Sequence, residues 1–202
     1  MKKLYLVLVA LIIRCYSYGQ VLSYKQDILH FRSENWKSLM ADPRTTLYQQ
    51  DSIYLDYFPI KEKNKVYANV VPIHEQDTIE MPTYSGKIKS FKKHALIQFR
   101  WKNNPVTLTA YQSLQNINSP VYKDYLFIPF KDKTTGKSSY AGGRYIDVKP
   151  GKIQQGHLIL DLNEVYNPWC AYSDGYNCPI PPKENTLDIS LTAGEKKFKR
   201  AH

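Results

Sequence analysis

From about Tyr54 onward, apolar residues recur at every second position, and this period of two limits the chain to short strands with one buried face. Val66, Ala68 and Val70 alternate in KVYANVV, and Ala95, Ile97, Phe99 and Trp101 alternate in HALIQFRW. KNNP at 102–105 reads as a turn into VTLTAY, where Val106, Leu108 and Ala110 alternate with Thr107, Thr109 and Tyr111, so the two runs form a hairpin. YLFIPF at 125–130, SYAGGRYIDV at 139–148, GHLILDL at 156–162 and LDISLT at 187–192 extend the set to about eight strands. Most connections are too short for helical crossovers, which predicts an antiparallel sheet. The glycine pair Gly142-Gly143 implies a bulge or a close backbone approach within its strand.

Ahead of this region, VLSYKQDILHFRSENWKSLMADP carries a helical period. Ser23 with Gln26 makes a capping box, Ile28, Phe31, Asn35-Trp36 and Leu39 fall on one face, and Asp42-Pro43 ends the run. Lys25, Asp27, Arg32, Glu34 and Lys37 are expected on the solvent side. The fold class is therefore α+β: predominantly antiparallel β, an open barrel or sandwich, with an N-terminal helix packed on it.

The first residues, MKKLYLVLVALIIRCYSYGQ, combine two lysines, an apolar run from Leu4 to Ile13, and small residues Ser17 and Gly19 before Gln20. This pattern predicts a cleaved secretory signal peptide over 1–19, because the apolar run is well short of the roughly 20 residues that span a bilayer. Ile12, Ile13 and Arg14 before Cys15 argue against lipid attachment there. The expected mature chain, 20–202, is one β-rich domain with a distinctive motif at 140–196, placed in the periplasm or secreted, with no membrane span. Cleavage would remove Lys2, Lys3 and Arg14, lowering Lys plus Arg from 28 to 25 against 18 acids, so the net charge falls from +10 to +7. The lysines from Lys87 to Lys137 and the tail Lys196, Lys197, Lys199, Arg200 are dispersed, with no Arg-rich helix, so nucleic acid is not the expected partner. An anionic small molecule or an envelope glycan suits the charge better. Oligomeric state is not legible.

One run breaks the period altogether: DLNEVYNPWCAYSDGYNCPIPPKEN, residues 161–185. Cys170 and Cys178 are the cysteine pair left after Cys15 departs, and an even pair in an oxidising compartment reads first as a disulfide. Closing a loop of about nine residues would stabilise the fold by roughly 2.5 kcal/mol. The spacing C-x7-C is not that of zinc knuckles, and none of the histidines lies in the run, so neither metal nor cofactor is expected. Nucleophilic chemistry could draw on Cys170 with His157 and Asp161, the last two four apart on one strand face. Asp161 with Glu164 or Glu184 offers paired carboxylates, residue types that also serve as turn formers and caps. No Gly-x-Ser-x-Gly elbow, His-Glu-x-x-His, Walker loop or dinucleotide fingerprint occurs.

The order SYAGGRYIDV, then GHLILDLNEVYNPWCAYSDGYNCPIPPKENTLDISLTAGEK, resembles the bacterial proteins grouped as domain of unknown function 1684, and YLDYFPIKEKNKVYANVVP resembles their N-terminal block. Leu162 and Trp169 depart mildly from that pattern, where the family commonly has phenylalanine and a second aromatic or proline. The resemblance implies a relationship and no activity, and it directs attention to Arg144, Asp161, Asn163, Tyr166, Asn167, Cys170, Tyr172, Cys178, Pro181, Pro182, Glu184 and Asn185.

Two functions remain in view. One is a periplasmic or cell-envelope binding or structural domain, whose polar aromatic pocket is built from Arg144, Asp161, Asn163, Tyr166, Asn167, Tyr172 and Asn185. The other is a hydrolase-like enzyme using Asp161, His157 or Cys170.

Overall fold

The structure is a computed structural model, and it describes residues 23–74, 78–120, 122–123 and 125–200. The expected signal peptide, its cleavage site and Cys15 lie outside the described residues.

A helix, α1, occupies 23–41 and stops before Asp42-Pro43. Ile28, Trp36 and Leu39 are its buried residues, while Lys25, Asp27, Glu34 and Lys37 face solvent. Arg32 departs from the expected solvent side: it is half-buried, with its guanidinium 4.0 Å from the centroid of the Tyr57 ring.

Among the described residues seven strands follow: β1 (Lys65–Pro72), β2 (Thr78–Pro82), β3 (Ile88–Trp101), β4 (Asn104–Ser113), β5 (Leu126–Phe130), β6 (Arg144–Val148) and β7 (His157–Asp161). They pair antiparallel in the order β6-β5-β4-β3-β1-β7, with β2 joined to the first half of β3. The sheet curls into a half-barrel against which α1 packs. Lys102 and Asn103 both have positive φ, 47° and 68°, which is the two-residue hairpin turn whose twist matches flanking strands.

One sheet face is the main core, formed by Val66, Ala68, Val70, Ala95, Ile97, Phe99, Leu108, Ile128, Ile146, Leu158 and Leu160, and closed by Leu191 and Ala193. A second core lies between α1 and the 161–185 run, where Trp36, Leu39, Tyr145, Ala171, Tyr172, Tyr176 and Phe198 meet. Strand β6 stands between them, with Ile146 and Val148 in the first core and Tyr145 in the second.

Two expected strand segments turn out differently. LDISLT is an extended but irregular segment, tied by Leu187 N–H to Lys131 O at 2.8 Å and by Lys133 N–H to Ile189 O at 2.8 Å. SYAGGRYIDV becomes a strand only at Arg144, because Gly143 has φ +92° and a Cβ there would lie 2.7 Å from Phe130 O. Gly143 thus serves a turn with close backbone approach.

Candidate functional site

The run 161–185 folds as three 3-10 turns, Leu162–Glu164, Trp169–Ala171 and Lys183–Asn185, joined by extended proline-rich segments. Cys170 and Cys178 are joined in a disulfide with Cα atoms 6.2 Å apart, bracing the loop between the second turn and Pro179.

Four of the sequence-selected polar residues close on the protein itself. Arg144, 1% exposed, donates to the carbonyls of Leu191 (2.8 Å), Ala193 (2.7 Å) and Glu195 (3.1 Å), and reaches Thr134 Oγ1 and Asp132 Oδ2 at 3.3 Å each. Burial lowers its pKa to about 10, while the Asp132 carboxylate favours the charged form. Asp132 in turn accepts from Leu191 N–H at 2.6 Å and from Thr134 at 2.7 Å. The expectation that Arg144 faces a pocket is therefore replaced: its fork is spent on holding the 191–195 segment under β6.

Asn163 donates to Lys61 O, Asp161 Oδ1 and Tyr24 Oη, and accepts from Asn64 Nδ2 and Lys61 N–H. Asp161 accepts from the Tyr24 hydroxyl at 2.8 Å and from Asn163 N–H at 3.0 Å. This pair ties α1 and the 61–64 turn to the end of β7. Asn185, fully buried, accepts from Thr109 N–H and donates to Thr109 O and Pro129 O, standing in for ladder bonds that β4 and β5 do not make to each other there.

The remaining three selected residues, Tyr166, Asn167 and Tyr172, line a cavity of about 300 Å³ between α1 and the motif. Phe31, Asn35, Trp36, Ser38 and Leu39 supply the helix side, and Asp147, Glu164 and Glu195 supply carboxyl groups. An adjoining cavity of about 390 Å³ shares Tyr122, Asp147, Tyr166 and Trp169 with it. The Tyr166 hydroxyl donates to Asp147 Oδ2 at 2.8 Å. Asp147 is exposed along the open space of both cavities, yet desolvation by the packed walls around it raises its pKa to about 6 against the lowering effect of Tyr166.

Glu195 is held more tightly. Tyr172 Oη donates to it at 2.5 Å and Asn167 N–H at 3.0 Å, and burial still pushes its pKa up to about 7. Glu164 is raised as well, by burial first. Trp36 Nε1 and Asn167 Oδ1, both in residues lining the smaller cavity, are buried without a hydrogen-bond partner among the described residues.

The nucleophilic assembly of Cys170, His157 and Asp161 is not formed. Cys170 has no thiol while it is bonded to Cys178, His157 Nδ1 meets Asn69 Oδ1 at 2.9 Å with its ring stacked on Tyr67, and Asp161 is held by Tyr24. No group of three metal-ligating side chains occurs among the described residues. The basic tail is pinned in part, with Lys196 and Lys199 on Asp56 and Arg200 on Asp51. Sequence reasoning missed Asp147 and Glu195; a lone acid in YIDV or past LTAG looks like any solvent-facing residue.

A curled antiparallel sheet, covered by one helix and a disulfide-braced loop around a polar aromatic cavity, defines the class of this protein. The chain belongs to the family described as Protein of unknown function (DUF1684), whose model matches residues 53–196. It is similar to the uncharacterized protein from gene locus rrnAC0354 of Haloarcula marismortui, solved by solution NMR. The identity is 28%, the match covers 82% of this chain and 96% of that one, and the TM-score is 0.58. No curated protein matches the chain.

Proposed function

We propose that this chain is an exported binding protein of the cell envelope, whose cavity around Asp147 and Tyr166 takes a small, hydroxyl-rich ligand of the sugar class. The observation that carries the reading is the Asp147 carboxylate itself. It lies where two cavities meet, and among the described residues only Tyr166 bonds to it. A carboxylate with free lone pairs beside flat aromatic faces accepts from sugar hydroxyls while the rings cover the apolar face of a pyranose. The unpartnered Trp36 Nε1 and Asn167 Oδ1 add a donor and an acceptor. Volumes of this order suit small-molecule sites. The disulfide supports an oxidising compartment, and the apolar N-terminal run supports export to it.

Trp36 and Trp169 line the cavity, so their fluorescence reports occupancy. Titration with neutral mono- and oligosaccharides should give a saturable change that Tyr166→Phe weakens; the absence of a response to every sugar would refute the binding function. Cell fractionation with N-terminal sequencing tests the compartment: a cytosolic chain beginning at Met1 would refute export.

A further inference from the structure

The two cavities differ in charge, and the larger one has opposite charges on separate residues. Besides Asp147 it is lined by two cations, Arg44 from the segment after α1 and Lys89 from β3. The Arg44 guanidinium stacks 4.6 Å from the Tyr176 ring centroid and is held by Asp42 at 2.7 and 2.9 Å, so it is fixed in place and partly neutralised. Lys89 is different. It is half-buried, and among the described residues it has no acidic partner; burial lowers its pKa, and nearby Arg44 lowers it further. Two cations that line one cavity wall and repel each other, one of them without a counter-charge among the described residues, are stabilised by an anion that enters between them.

We propose that the larger cavity is an anionic-sugar site, in which Lys89 and Arg44 take the carboxylate or phosphate of a sugar whose hydroxyls reach Asp147 and Tyr166. The proposal rests on the sugar-binding reading and adds the ligand's charge. Tyr176, Phe127 and Trp169 supply the rings between the two ends, against which the sugar ring would lie. A neutral sugar would satisfy Asp147 and leave Lys89 unpaired; an aminosugar would be repelled from it.

The test is a titration of the full chain, followed by tryptophan fluorescence and by amide chemical shifts, with glucose, glucuronate, glucose 6-phosphate and glucosamine. Glucuronate or glucose 6-phosphate should bind about tenfold tighter than glucose at low salt, and glucosamine weaker. Whichever acid binds tighter identifies a carboxylate or a phosphate as the preferred group. Lys89→Met should abolish the preference, so that glucuronate and glucose 6-phosphate bind this variant no more tightly than glucose does, and Lys89→Arg should retain it. Equal affinity for glucose and the acids, or a preference that survives Lys89→Met, overturns the anionic site while sugar binding stands. Failure of all four sugars to bind overturns both.

Discussion

Arg144 and Asp147 lie three residues apart on β6, and their opposite fates show how one strand divides a molecule. An odd separation on a strand puts the two side chains on opposite faces. Arg144 turns toward the core with Ile146 and Val148, where every carbonyl of the 191–195 crossing that it touches is a fixed acceptor. Asp147 turns toward α1 and the motif, where packing is incomplete and a cavity remains. A charge enclosed by fixed partners rigidifies the fold, whereas a charge beside open space stays available to a ligand.

The comparison breaks first at Arg144. Arg144→Ala leaves the Asp132 carboxylate buried and unpaired and should cost about 3–5 kcal/mol in chemical denaturation. A loss below about 1 kcal/mol would mean the network is not what holds β6 to the 191–195 segment. Replacing Cys170 and Cys178 together by serine should cost roughly 2.5 kcal/mol, and thiol alkylation with and without reductant checks that the bond exists before the loss is read.

Glu195 sharpens the contrast by pH. Burial raises its folded pKa to about 7, so the fold favours the neutral acid that the unfolded chain gives up near pH 4.3. Its contribution is largest below about pH 4.3, declines as pH rises to about 7 and is flat above, a change on the order of 3–4 kcal/mol. Denaturation midpoints at pH 5 and pH 8 should therefore converge in Glu195→Gln relative to the parent chain. Asp147→Asn has the same sign and the smallest size, since water reaches this side chain through the cavity. A gain below about 1 kcal/mol above pH 6 is expected. Sugar affinity should drop about tenfold in the same variant, and unchanged affinity would place the ligand elsewhere.

Much of the architecture was legible because alternation and helical spacing are local. β1, β3, β4, β5 and β7 follow from apolar residues two apart, α1 from Ile28, Trp36 and Leu39, and the hairpin from Lys102-Asn103. LDISLT was not legible as irregular, since its alternation serves a segment stitched to 131–133 through a few long-range bonds. The candidate site was half legible. Tyr166, Asn167 and Tyr172 could be picked out because aromatic and amide residues crowd a run without periodicity. Arg144 could be picked out as well, but not its direction, because a planar fork suits main-chain carbonyls as well as a ligand's oxyanion.

By itself the sequence determined the antiparallel sheet, the covering helix, the hairpin turn and the cysteine pair, because each depends on side-chain periodicity or backbone preference within a few residues. Tertiary structure alone decided that Arg144 is sealed, that Asp147, Glu195 and Trp36 meet in one cavity, and that Lys89 has no counter-charge among the described residues. The reason is distance along the chain. Desolvation and charge pairing are set by groups contributed from segments far apart in sequence, and nothing in the local pattern records which of them a polar side chain will face.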